Sequence, residues 1–167
     1  MIVARLRSAF PDDGILSEEE HDAIDERTSR SRVWMIDPID GTQGFINKDG
    51  DFGVQIGLSI DGRAVLGVVY LPNYDELYHA IAGKGAFLSA NGTAPKQLTV
   101  SAETDFSVMT MAVSRNHLSP KMKHIGDRFA IRKVIHRGSV GLKIGLIARQ
   151  IDRKSTRLNS SHLVISY

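Results

Sequence analysis

Residues 37–42 read Asp-Pro-Ile-Asp-Gly-Thr and directly follow the apolar run Val33–Ile36. An apolar run of this length that ends at a turn signal predicts a buried strand. Pro38 fixes its own φ and favours an extended conformation for the residue before it, so Asp37 is expected to point forward from the strand end. Asp40 lies three positions later in the same predicted tight turn. The sequence therefore predicts two carboxylates at the end of one buried strand.

The other residues of this turn suit a phosphate ester bound next to a divalent cation. Gly41 allows the backbone to approach a ligand closely, and Thr42 adds a hydroxyl beside backbone N–H groups. The Ile39 carbonyl adds an oxygen of the kind that hard cations prefer. Together these groups indicate metal-assisted phosphate chemistry. The alternative is a plain solvated turn, which is the more common meaning of an isolated Asp-x-x-Asp.

Two neighbouring features favour the metal-site interpretation. Residues 14–19 (GILSEE) place Glu18 just after a short apolar segment, and Gly44-Phe45 and a strand beginning at Phe52 follow the turn. With W-M-I-D-P-I-D-G-T-Q-G-F, these features resemble the superfamily of inositol monophosphatase and fructose-1,6-bisphosphatase. Within it, the motif most resembles the 3′(2′),5′-bisphosphate nucleotidases, and the resemblance runs to about residue 150.

This resemblance implies a fold, a cofactor and a set of roles. The fold would be the α+β layered sandwich of the sugar phosphatases, and the cofactor Mg²⁺, with about two or three ions in a complete site. Glu18, Asp37 and the Ile39 carbonyl would hold the first ion. Asp37 and Asp40 would hold a second, and Thr42 and Glu18 would orient the attacking water. The expected catalytic residues are therefore Glu18, Asp37 and Thr42.

The resemblance also implies residues that contact the substrate. Two further segments match the nucleotidases: residues 114–117 (SRNH) and residues 138–143 (GSVGLK). Alternatively, the histidine of the first segment lies in a surface loop and the lysine of the second is a solvated helix residue. The substrate-binding residues expected from the turn and from these segments are Asp40, Gly41, Thr42, Arg115, His117, Ser139 and Lys143.

Two segments typical of the superfamily are missing from this sequence. An N-terminal region with a Thr-x-Ala-Asp segment does not precede residue 1, and no Trp-Asp-x-Ala-Ala motif follows, since Trp34 is the single tryptophan. We therefore expect a fragment truncated at both ends, with an incomplete second metal site and little activity. The hypotheses for function are a phosphatase acting on adenosine 3′,5′-bisphosphate, one acting on inositol monophosphate or fructose 1,6-bisphosphate, or a non-catalytic remnant that binds metal or phosphate.

The last sixteen residues differ from the rest of the chain. Residues 152–162 (DRKSTRLNSSH) match the in-frame translation of a widely used sequencing adapter. We therefore predict a partial phosphatase domain over residues 1–151 and a non-native tail over residues 152–167. Without this tail, basic and acidic residues are equal in number, so the net charge of +2 does not indicate a nucleic-acid polymer as partner.

Composition and periodicity complete the predictions. The chain has no cysteine, so a metal would be held by oxygen ligands, and this composition is compatible with a cytoplasmic protein. It has no apolar run of membrane-spanning length, so we expect no membrane as partner. A homodimer is compatible with the resemblance. Helical spacing predicts a helix over residues 2–10, and dense charge predicts a loop over residues 18–32. A hairpin is predicted at Asp61-Gly62. The remaining predicted elements are strands over 54–60, 64–71, 76–82, 106–113 and 130–135, and helices over 121–129 and 139–149, the last capped by Ser139.

Overall fold

The computed structural model describes residues 1–21, 24–115, 120–149 and 162–164. The chain divides into two compact units, each built from segments that are separated in the sequence. The first, called here the N-terminal unit, contains residues 1–40 and 53–97. The second, the C-terminal unit, contains residues 41–52 and 98–167. The boundary between them therefore falls inside the Asp-Pro-Ile-Asp-Gly-Thr motif.

The N-terminal unit is built on a seven-stranded sheet whose strands lie in sequence order. The first two strands pair in parallel, and each following pair up to the sixth strand is antiparallel. Two α-helices, α1 (Ile2–Ala9) and α2 (Ile24–Thr28), belong to this unit, with a 3₁₀ turn at Pro72–Tyr74. The strands are β1 (Gly14–Ser17), β2 (Arg32–Asp40), β3 (Gly53–Ile60), β4 (Arg63–Leu71), β5 (Glu76–Ile81), β6 (Gly85–Ala90) and β7 (Lys96–Leu98).

Strand β2 confirms the predicted strand, but within its apolar run only one face is buried. Trp34 and Ile36 are buried while Met35 between them is 38% exposed, as the two-residue alternation of a strand requires. The indole Nε1 of Trp34 donates to Asp13 at 2.8 Å, and its ring stacks on Phe10 at 5.3 Å. These contacts connect the end of α1 and the turn after it to β2, which adjoins the edge strand β1.

The C-terminal unit combines helices with a three-stranded parallel sheet in which β8 lies between β10 and β9. Residues 110–113 of β8 are buried, as expected for a central parallel strand. The predicted cap of the last helix is confirmed, since the Ser139 hydroxyl accepts from the Leu142 N–H at 2.9 Å. The elements are α3 (Thr42–Asn47), a 3₁₀ turn (Phe106–Val108), β8 (Thr110–Ser114), α4 (Pro120–Arg128), β9 (Lys133–Arg137), α5 (Val140–Ala148) and β10 (His162–Val164).

Several predicted boundaries differ from the observed ones. The segment predicted as a loop over residues 18–32 contains the short helix α2, and β6 and β7 were not predicted. The strand predicted from residue 130 begins at Lys133, because Ala130 has a left-handed φ of +54° and its N–H bonds back to the end of α4. Among the described residues, no helix combines the length and apolar character needed to cross a membrane.

Candidate metal and phosphate site

The carboxylate motif lies within strand β2 and not in a tight turn after it, which corrects the sequence prediction. β2 continues to Asp40, and its pairing with β3 changes register between Asp37 and Asp40. Asp37 is opposite Gln55 and Asp40 is opposite Gly53, so three steps along β2 correspond to two steps along β3. This mismatch is a β-bulge that contains the proline of the motif.

The bulge decides where the two carboxylates point. In a regular strand, residues three apart point to opposite faces of the sheet. Residues directly opposite each other on paired strands share a face, and positions 53 and 55 of β3 are two apart and therefore also share one. Asp37 and Asp40 consequently lie on the same face of the sheet. Without the extra residue of the bulge, the two aspartates would point to opposite faces of the sheet.

Glu18 joins this pair through the register of the first two strands. Ser17 is the parallel partner of Ile36, so Glu18, the residue after β1, follows this pair just as Asp37 does on β2. The Glu18 N–H donates to the Ile36 carbonyl at 3.3 Å, which extends the backbone pairing to this position. Glu18 and Asp40 therefore both lie near Asp37 at one end of the sheet.

The Asp37 carboxyl reports this crowding through its pKa. Burial, which is the largest cause, and the charges of Glu18 and Asp40 together raise the pKa of Asp37 from its ordinary 3.8 to about 6. The Ile39 N–H donates to Asp37 Oδ1 at 3.1 Å and opposes the shift, whereas a hydrogen bond with Glu18 adds to it. The raised pKa therefore reflects a partly buried carboxyl group that lies beside two other carboxyl groups.

The donor set fits a hard divalent cation. Carboxylate and carbonyl oxygens are the ligands that Mg²⁺ prefers, and Glu18, Asp37, Asp40 and the Ile39 carbonyl supply both kinds from adjacent positions. Across residues 1–21, 24–115, 120–149 and 162–164, no three carboxylate, histidine or cysteine side chains already stand in ligand geometry. The roles of these residues as metal ligands therefore stay predictions.

In the C-terminal unit, the residues that follow the carboxylates begin a short helix. Gly41 has a φ of +85° and Thr42 is the first residue of α3. A Cβ at Gly41 would lie 2.5 Å from the carbonyl oxygen of Asp51, so only glycine permits this approach. Thr42 is exposed at the surface of the chain.

The same unit contains an ion-pair network that the sequence did not indicate. Arg115 donates to Asp49 Oδ2 at 2.6 Å and, from its other terminal nitrogen, to Asp51 Oδ2. Asp51 also accepts from the Gly138 N–H at 2.8 Å and from the Ser139 N–H at 3.3 Å. Turn residues Asp49 and Asp51 carry no spacing signal that links them to residue 138. Only the tertiary structure brings them together.

The other predicted substrate residues have distinct environments. Ser139 is fully buried as the cap of α5, and Lys143, one turn later, is only 2% exposed. The alternative of a solvated lysine at position 143 is therefore wrong. His117 lies outside the described residues. The roles in substrate binding predicted for Arg115, His117, Ser139 and Lys143 stay predictions.

Three curated relatives show what the chain is similar to. It is 39% identical over 134 residues to the histidinol-phosphatase of Chlorobaculum parvum, which covers 80% of this chain and 49% of that protein. It is 35% identical over 148 residues to the 3′(2′),5′-bisphosphate nucleotidase CysQ of Salmonella typhimurium, with coverages of 89% and 58%. Identity to the inositol-1-monophosphatase of Bacillus subtilis is 34%, with coverages of 74% and 48%.

Solved structures show the same likeness. Staphylococcal SaIMPase-II with bound inositol monophosphate superposes with a TM-score of 0.71 at 30% identity, and its 2′AMP complex with 0.71 at 31%. Each comparison covers 87% of this chain and 55% of the solved chain. The chain thus spans about half the length of the relatives it matches. The inositol monophosphatase family matches residues 1–152, and the fold is its mixed α/β sandwich. The chain belongs to the inositol monophosphatase family.

Proposed function

We propose that the full-length protein containing this chain is a Mg²⁺-dependent phosphomonoesterase with 3′(2′),5′-bisphosphate nucleotidase activity. The observation that carries the proposal is the meeting of Glu18, Asp37 and Asp40 at one end of the sheet. This arrangement is costly for folding without a cation, since it raises the pKa of Asp37 to about 6. Membership of a phosphatase family adds independent support.

The chain's own residues have separate roles in the proposed reaction. Glu18, Asp37, Asp40 and the Ile39 carbonyl would hold the metal. Mg²⁺, when bound, would supply Lewis-acid polarisation of the phosphoryl group and an activated water. The resemblance gives Glu18 and the Thr42 hydroxyl the role of orienting the attacking water, and Asp37 would act in its ionised form as a ligand. Gly41 contributes backbone next to the phosphate.

The choice of a nucleotide as substrate rests on sequence likeness. The CysQ match extends over 89% of this chain, including the SRNH and GSVGLK segments. Histidinol phosphate is the second candidate, because the histidinol-phosphatase of Chlorobaculum parvum is 39% identical. Inositol monophosphate and fructose 1,6-bisphosphate are further candidates. One SaIMPase-II binds both inositol monophosphate and 2′AMP, so related sites accept either kind of phosphate ester.

The decisive experiment is a substrate panel on the full-length protein. Phosphate release from adenosine 3′,5′-bisphosphate, histidinol phosphate, inositol monophosphate and fructose 1,6-bisphosphate would be measured with and without Mg²⁺. The nucleotide should give the highest kcat/KM, and removal of Mg²⁺ should abolish turnover. No Mg²⁺-stimulated release from any of the four substrates would overturn the proposal. A higher kcat/KM for histidinol phosphate would keep the reaction class and replace the substrate.

Two lysines in the C-terminal unit test the predicted substrate residues. Lys143 is buried, whereas Lys123 on α4 has a side chain that is 76% exposed and serves as the matched control. Lys143→Ala, like His117→Ala, should reduce nucleotide hydrolysis at least about tenfold more than inositol phosphate hydrolysis. Lys123→Ala should change neither. Equal losses on both substrates would mean that Lys143 is structural.

For the 167-residue chain alone, we propose negligible activity and a non-native tail. The family match ends at residue 152, where the adapter-like sequence begins, which supports the tail assignment. The resemblance places a further metal-ligating aspartate in a motif that this sequence lacks. Turnover by the chain within about tenfold of the full-length protein would show that this aspartate is dispensable. Codons for residues 152–162 that differ from the adapter would contradict the tail assignment.

A further inference from the structure

Asp51 is the most connected carboxylate in the described part of the C-terminal unit. Its side chain is 4% exposed and accepts from Arg115 and from two successive backbone N–H groups, those of Gly138 and Ser139. Its own N–H donates to Asp49 Oδ1 at 2.9 Å. A buried carboxylate is stable only when its oxygens are paired in this way. Asp51 therefore has a fixed position and fixes its partners in turn.

The partners of Asp51 come from three separate parts of the chain. Ser139 is the N-cap of α5 and Gly138 precedes it, and Arg115 follows strand β8. The third part is the start of α3, which packs closely against the Asp51 backbone. A Cβ at Gly44 would overlap the Asp51 carbonyl group, and a Cβ at Gly41 would lie 2.5 Å from the Asp51 carbonyl oxygen. The start of α3, the start of α5 and the end of β8 are thus connected through one residue. All three contain residues predicted to bind the substrate.

The net charge of Arg115 and its two carboxylate partners also bears on the role of Arg115. Its guanidinium is shared by two carboxylates, so the three side chains together carry a net negative charge. The Asp49 pKa is lowered and the Arg115 pKa is raised, both chiefly by their mutual hydrogen bond, which keeps these two side chains charged at neutral pH. An anionic cluster does not attract a phosphate by its field. The arrangement suits orientation of the chain better than direct phosphate binding.

We propose that Asp51, held by Arg115, is a positioning residue that fixes the start of α5 and the turn at Gly41 for substrate binding. This inference rests on the proposed phosphatase function. It gives a role to Asp51, which no sequence motif indicated. It also makes Arg115 the partner that orients Asp51, and not a residue that binds the phosphate. Asp51 acts through Ser139 and Gly41 and has no contact of its own with the reacting atoms.

The first test measures the backbone directly and needs no enzymatic activity. Amide hydrogen exchange of Gly138 and Ser139 would be compared in the full-length protein and in its Asp51→Asn variant. The substitution should accelerate exchange at these amides by about tenfold or more, since one carboxylate oxygen is replaced by an NH2 group and the remaining oxygen loses its charge. Asp105→Asn, which removes the charge of the acceptor for the Ser107 N–H in the same unit, is the matched control and should leave these amides unchanged. Unchanged exchange in Asp51→Asn would overturn the proposal.

The second test uses steady-state kinetics of the full-length protein. Asp51→Asn should raise KM for the phosphorylated substrate about tenfold while kcat changes less than about threefold, and Mg²⁺ activation should stay the same. Asp51→Glu should recover part of the loss, because it keeps a charged acceptor. A fall in kcat with KM unchanged, or a loss of Mg²⁺ activation, would overturn the positioning role. If the wild type hydrolyses no substrate, the proposed function fails, and the exchange experiment still decides whether Asp51 fixes α5.

Discussion

The two units use the same chemical group in opposite ways. In the N-terminal unit, burial and the neighbouring carboxylates Glu18 and Asp40 raise the pKa of Asp37 to about 6. In the C-terminal unit, a hydrogen bond from Arg115 lowers the pKa of Asp49. Asp49 and Asp51, the paired set, thus have a positive partner in Arg115. Glu18, Asp37 and Asp40 form the repelling set, in which the charges of Glu18 and Asp40 help to raise the pKa of Asp37. Among the proposed metal ligands, Asp37 therefore has no positive side chain among the causes of its pKa shift, whereas Asp49 is paired with Arg115.

The largest expected effect is on catalysis by the repelling set. Asp37→Asn should lower kcat/KM of the full-length protein at least about 100-fold, because loss of a metal ligand exceeds the usual effect of its supporting residues. Without Mg²⁺, the variant should be at least as stable as the wild type, since a charge repulsion is removed. Thermal unfolding and phosphate release would measure both. Asp61→Asn in the exposed hairpin is the control. A marked loss of metal-free stability would show that Asp37 is a structural carboxylate.

The paired set should respond in the opposite sense. Arg115→Ala leaves the buried Asp51 carboxylate with only its backbone donors and should lower the free energy of unfolding by about 2 kcal/mol, with or without Mg²⁺. Chemical denaturation of the 167-residue chain measures this. Arg128→Ala, at an exposed arginine of α4, should have almost no effect. If both arginine variants are equally stable, the network contributes nothing to folding.

The pH dependence of stability should distinguish the sets further. The folded-state pKa of Asp37, about 6, lies above the ordinary 3.8, so the folded state binds more protons between these values. The contribution of Asp37 to stability without metal therefore falls as pH rises from about 4 through 6. Bound Mg²⁺ should reverse this trend, because it competes with the proton.

The accompanying measurement is the rise in Tm on adding Mg²⁺ at two pH values. The rise should be larger at pH 7.5 than at pH 5, and tenfold weaker binding at pH 5 would correspond to about 1.4 kcal/mol less stabilisation. In Asp37→Asn, the rise in Tm on adding Mg²⁺ should differ less between pH 5 and pH 7.5. An equal Mg²⁺ effect at both pH values in the wild type would argue against ion binding at Asp37.

The smallest effect is expected at the cap of α5. Ser139→Ala removes the hydroxyl that accepts from the Leu142 N–H and should cost about 1 kcal/mol of unfolding free energy. Ser139→Gly should cost less, as glycine is tolerated at this position of a helix. Denaturant titration of the two variants compares them. Equal losses would mean that packing of the buried side chain, and not capping, determines the effect.

Local chemistry allowed much of the fold to be predicted from the sequence. The apolar run before Asp37 predicted β2, and Asp61-Gly62 predicted the hairpin between β3 and β4, because strand alternation and turn chemistry are properties of neighbouring residues. The cap at Ser139 was confirmed for the same reason. The family was also predicted, since the Asp-Pro-Ile-Asp-Gly-Thr motif is contiguous.

The errors lie where tertiary contacts override local signals. A charge-rich segment predicted as a loop contains α2, and the strand predicted at Ala130 begins later because that residue closes α4 in a left-handed conformation. β6 and β7 have no strong alternation of their own. Pairing with the preceding strands, which depends on the whole sheet, defines them.

The sequence by itself determined which residues carry the candidate chemistry, because carboxylates, a glycine and a hydroxyl stand together in one short motif. It did not determine their arrangement. The bulge that places Asp37 and Asp40 on one face, and the register that aligns Glu18 with Asp37, exist only once β1, β2 and β3 are paired. The contact between Asp51 and Gly138 joins residues 87 positions apart. Pairing across such distances is decided by burial and hydrogen bonding in the folded chain, and no local pattern encodes it.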